Sequence, residues 1–97
     1  MEIKDLLEQA KKIWGNQPLP LSQMVIRLGK IFGDICRWER HANKDDHLHS
    51  ADDLKKEFGN LIFSSIKFCD ELGYDPEECI QLAIVAQTKF AQENERH

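Results

Sequence analysis

Ninety-seven residues, 41% of them hydrophobic and 31% charged, describe one helical domain over 1–97 and exclude a disordered tail. A chain this short buries only about two-thirds of its unfolded surface when it folds alone, so modest stability is expected of a monomer. The formal charge of −4 and the scatter of thirteen Lys and Arg leave no basic run for a nucleic-acid backbone. No apolar run approaches the ~20 residues of a membrane span, and Met1-Glu2-Ile3-Lys4-Asp5 has no signal core, so a cytoplasmic protein is expected.

The first helix is expected from about Ile3 to Trp14, with Ile3, Leu6, Leu7, Ala10, Ile13 and Trp14 at helical spacing and Gly15 as its stop. The second runs from about Leu21 to His41. Its stripe of Met24, Val25, Leu28, Ile31, Phe32, Ile35 and Trp38 is wide enough for two neighbours. Gly29 and Gly33 lie one turn apart inside it, and their cost in a helix interior implies tight packing or the close approach of a backbone or ligand.

A polar stretch from Ala42 to Ser50 follows. Ser50 with Asp53 then opens a third helix that turns Leu54, Phe58, Leu61, Ile62, Ser65, Ile66, Cys69 and Leu72 inward and ends at Gly73. Phe63 and Phe68 fall off that stripe. They need a second layer, supplied by the first helix or by a partner chain. The fourth helix starts at Asp75 and Pro76, with Glu77 and Glu78 complementing its positive end, and continues through Ile80, Ala83, Ile84 and Phe90.

Inward acidic residues at i and i+3 on two long helices are how an all-helical protein builds a site for a hard cation. The third helix offers Glu57-Phe58-Gly59-Asn60 and the second offers Gly33-Asp34. With Arg27-Leu28 before them, Leu61-Ile62-Phe63 and Leu72-Gly73-Tyr74-Asp75-Pro76-Glu77-Glu78 after them, and Lys89-Phe90 near the end, the stretch from Ile26 to Phe90 resembles the MazG-like all-α nucleoside triphosphate pyrophosphohydrolases. That resemblance implies a four-helix MazG-like bundle completed by dimerisation or tetramerisation, a nucleotide ligand and magnesium.

The family signature is E-E-x-x-E on one helix and E-x-x-D on the next, and aligning on Gly33 and Gly59 carries it onto Lys30, Ile31, Asp34, Glu57 and Asn60. Only Glu57 is identical. Four metal-binding carboxylates become Ile31, Asp34, Glu57 and Asn60, and Lys30 adds a cation that repels a divalent ion by about 1–2 kcal/mol at screened range. Magnesium depends on the number of carboxylates offered, so only a weak ion on Asp34 and Glu57 is expected, helped by substrate phosphates. Lys89 matches a basic position suited to those phosphates. The expected pocket is therefore lined by Lys30, Ile31, Asp34, Glu57, Asn60 and Lys89, in a scaffold that is weakly active or inactive.

Two other readings stay open. A pocket rebuilt by divergence or engineering would bind a small apolar or carbonyl compound, with Lys30 as a reactive amine among Ile31, Gly29 and Phe58. In the other, the helices serve only as an assembly module. An i+4 pair with Asp34 or a solvated chain is the plainer role for Lys30. His41, His47 and His49 with Asp45 and Asp46 read as a solvated connector more readily than as a zinc or nickel site. Trp14 and Trp38 read as core or as stacking surfaces for a base, and Cys36, Cys69 and Cys79 as buried reduced thiols.

Overall fold

A computed structural model describes residues 1–41 and 50–95. Four helices account for the fold, in the order α1 (Ile3–Trp14), α2 (Leu21–Arg40), α3 (Ala51–Glu71) and α4 (Pro76–Glu95), with no strand among the described residues. His47, His49, Asp45 and Asp46 lie outside the described residues, whereas His41 caps the C-terminus of α2.

Each helix end has a local cause. Glu2 and Asp5 form a reciprocal capping box at α1, the Glu2 N–H donating to Asp5 Oδ2 at 3.0 Å. Gly15 leaves the helix at φ 73° while its N–H closes onto the Lys11 carbonyl at 2.8 Å. At α3, the Asp53 N–H donates to Ser50 Oγ at 3.0 Å. The far end closes on Gly73, at φ 81°: the Tyr74 N–H reaches the Cys69 carbonyl at 2.9 Å and the Gly73 N–H reaches that of Asp70 at 3.0 Å. This sharp turn launches α4, and Asp75 Oδ1 accepts the Glu77 N–H at 3.0 Å.

Packing centres on α3, which meets α2 most extensively and α1 and α4 less. The buried side chains on α3 are Ser64, Lys67 and Phe68, and they turn toward α1, where Leu6 and Ala10 are buried. Trp14 is the joint. Its ring meets Phe63 edge-on at 6.0 Å and Phe68 at 5.7 Å, so the first helix supplies the second layer those off-stripe rings require. Lys67 forms an ion pair with Glu71, and Glu71 Oε2 accepts the Leu19 N–H at 3.1 Å, which ties the α1–α2 connector down to α3.

The stripe expected to be inward fares differently. Met24 is buried and Leu28, Ile31, Ile35, Leu54, Leu61, Ser65 and Ile66 are half-buried, but Val25, Phe32, Phe58, Ile62 and Leu72 remain exposed. All described side chains of α4 from Ile80 onward are exposed, including Leu82, Val85 and Phe90. The accessible surface is 7937 Å² and the radius of gyration 16.3 Å. A self-contained monomer of this mass would show about 5,700 Å² and about 12.5 Å. The protomer is open because α4 extends away without closing a core.

Gly29 and Gly33 do not mark a close approach within the protomer: an added Cβ would meet nothing within 4 Å at either site. Gly29→Ala and Gly33→Ala are therefore each expected to stabilise the free protomer by about 0.4–1 kcal/mol, through helix propensity and a stiffer unfolded chain. Urea midpoints at low protein concentration check this. A loss of stability would contradict the open space at these two positions.

Candidate functional site

Clefts lie along the seam of α2 and α3. Residues of rising number on α2 meet residues of falling number on α3, so the two helices run antiparallel and each helical turn moves the lining by one step. That step divides the expected pocket into two.

The first cleft, about 530 Å³, lies at the junction with α1. From α1 come Ile13 and Trp14, from α2 Arg27, Lys30 and Ile31, and from α3 Lys56, Gly59, Asn60, Phe63 and Ser64. Three cations face it and no carboxylate lines it. Arg27 is stacked over Trp14, its guanidinium carbon 5.2 Å from the ring centroid, which restrains a side chain that would otherwise sample many rotamers. Lys67 lies on the same ring at 4.9 Å.

The second cleft, about 310 Å³, takes Asp34, Arg37, Trp38 and His41 from the C-terminal part of α2 with Asp53, Lys56 and Glu57 from α3. Asp34 and Glu57 line this one together. Glu57 Oε1 accepts from the Asn60 amide at 3.3 Å, while Glu57 Oε2 is buried with no hydrogen-bond partner. An oxygen left in that condition costs about 1–3 kcal/mol, so a donor or a cation beside it would be favoured. Yet no group of three or more His, Cys, Asp or Glu among the described residues is placed to hold a metal ion. The donor set does not fit a magnesium site of the kind implied by the resemblance.

Lys30, Ile31 and Asn60 thus line one cleft and Asp34 and Glu57 the next. Lys89 lies on the exposed length of α4 and lines neither. Phe58, expected beside Lys30, instead borders a separate apolar cleft with Trp38, Ala51, Leu54 and Lys55. Lys30 is exposed, and no carboxylate among the described residues pairs with it, so the i+4 partnership with Asp34 is not made. Trp14 and Trp38 are half-buried, and the Trp38 Nε1–H donates to the Ser50 carbonyl at 3.0 Å, bracing the start of α3. Arg27 and Lys56 escape a motif reading because their role comes from facing each other across two helices. A visible signal is spacing: Arg27 precedes Ile31, and Lys56 precedes Asn60, by one turn.

The cysteines are less buried than expected. Cys36 is exposed and Cys69 and Cys79 are half-buried, all three as free thiols. Burial, then the hydrogen bond that the Cys69 thiol makes to the neighbouring Cys79, push the Cys69 thiol above its ordinary value. A raised value means less thiolate at any given pH, so alkylation at pH 8 is expected to label Cys36 first and Cys69 last, as read by peptide mass spectrometry. Equal rates would contradict the packing of the α3–α4 turn.

No helix among the described residues is long and apolar enough to cross a membrane. Comparison with protein-family models, with curated proteins and with solved structures gave no match.

Proposed function

We propose that this chain is a MazG-like nucleotide pyrophosphohydrolase scaffold that binds nucleotide but has largely lost the acidic metal site, leaving it weakly active or inactive. The observation that carries the reading is the division of the signature positions. Lys30, Ile31 and Asn60 open onto a cleft without carboxylates, and only Asp34 and Glu57 remain together in the next. Asp34 and Glu57, with Asp53 also lining that cleft, can retain magnesium when a substrate's phosphates complete the shell, and the unpartnered Glu57 Oε2 supports a weak residual ion there. Hydrolysis needs more: a cation held firmly enough to activate water and neutralise the triphosphate.

The working form is a homo-oligomer, a dimer or a tetramer. Its support is the roughly 2,200 Å² by which the exposed surface exceeds that of a compact monomer. A standard interface needs only about 800 Å² from each partner. Exposed Phe32, Ile62, Val85 and Phe90 supply apolar groups of the kind that fill an obligate interface.

With millimolar magnesium and a panel of nucleoside triphosphates, pyrophosphate release is expected to be at most marginally above the protein-free rate. Sustained turnover would overturn the loss of chemistry. Light scattering is expected to give two or four times the chain mass; a monomer at micromolar concentration would overturn the assembly.

A further inference from the structure

The cleft at α1, α2 and α3 combines features that point to one class of ligand. In a chain of net charge −4, Arg27, Lys30 and Lys56 face it without a lining carboxylate. Its wall is aromatic, with Trp14 and Phe63 set edge to face at 6.0 Å. Gly59 leaves open space where a Cβ would sit, so a flat ring can approach the α3 backbone.

We infer that this cleft binds a small ligand joining a planar aromatic ring to a phosphate, a nucleoside monophosphate being the simplest, without any divalent cation. The inference rests on the nucleotide reading above and adds how the anion is held. A phosphate monoester carries close to two negative charges at neutral pH. Three side-chain cations can compensate them directly, and the same three repel a free metal ion. Arg27 lies over the Trp14 ring, and its planar fork of donors suits bidentate contact with phosphate oxygens. Lys30 and Lys56 form no ion pair among the described residues, so neither has to leave a carboxylate to engage a ligand. The ring then has Phe63, Ile13 and Ile31 for apolar contact, with Asn60 at the edge for polar groups. At about 530 Å³ the cleft lies within the range of small-molecule sites.

The test is calorimetry on the full chain in excess chelator, with adenosine monophosphate, adenosine and inorganic phosphate titrated separately. Adenosine monophosphate is expected to bind, and the two fragments to bind at least about tenfold more weakly, since each keeps only half of the contacts. Lys30→Glu should weaken it by about tenfold or more, because it reverses one cation in the cleft. Lys55→Glu, on α3 next to Lys56 in sequence but outside the cleft, should not. Circular dichroism confirms that both exposed-site variants fold. Absence of binding in chelator overturns the inference, as does equal loss in the two variants. Binding that appears only with magnesium overturns it too, while sparing the nucleotide reading. Pyrophosphate release, measured with magnesium, fails or holds independently of that result.

Discussion

Lys67→Ala is expected to destabilise the protein by about 3–5 kcal/mol, measured as a fall in the urea midpoint at unchanged slope. Lys67 is only 7% exposed, and its ammonium sits between Glu71 and the face of Trp14. Truncation leaves Glu71 as a largely buried carboxylate whose cation has gone. Its other oxygen still anchors the Leu19 N–H, so the carboxylate cannot swing out to water without releasing the connector. A loss of that size approaches the whole stability of a small domain. The double replacement Lys67→Met with Glu71→Gln is expected to recover much of it. It removes both charges, while the glutamine oxygen can still accept from Leu19. If the single and double variants were equally damaged, the charge would not be the cause.

Phe68→Ala is expected to cost a similar amount, about 3–5 kcal/mol, by opening a cavity at the junction of α1 and α3. Phe68 is 3% exposed and its ring lies 5.7 Å from that of Trp14, so its removal also alters the surroundings of the indole. A shift in tryptophan emission under native conditions is expected alongside the lowered midpoint. Phe90 provides the contrast. It is 62% exposed, and Phe90→Ser is expected to leave the fold intact while weakening the proposed assembly. Truncation at residue 68 that left stability untouched would contradict the packing of α1.

Helix existence and helix ends were legible because their causes are local. The Ser50–Asp53 cap, the Gly73 closure and the Asp75–Pro76 start all act within a few residues, and each ends or opens a helix where expected. Which face goes inside was not legible. Alternation of apolar residues tells that α3 has a dry side, but α3 carries two, and the choice depends on which other helix arrives. Trp14 decided it. The Phe63–Phe68 side is covered within the chain, and Phe58, Ile62 and Leu72 on the longer stripe are left exposed. Gly29 and Gly33 misled for a related reason, since a glycine records that space is needed without saying what fills it.

The candidate site was legible as a set of residues and not as a place. Counting along the signature assumes that all its positions look into one cleft. Residues 30 and 34 are one turn apart, and that single turn carries the lining from a cationic cleft to a mixed one. Lys89 was out of reach because it lies on α4, which leaves the body of the protomer after Cys79. Arg27 and Lys56, separated by most of two helices in sequence, become neighbours only through the antiparallel packing of α2 on α3.

Calorimetric titration of magnesium into the protein saturated with a non-hydrolysable triphosphate tests the loss of the metal site most directly. The predicted result is no heat beyond that of magnesium with the nucleotide alone, or an excess that saturates only at millimolar magnesium. A stoichiometric site of micromolar affinity, abolished by Glu57→Gln and Asp34→Asn, would contradict it.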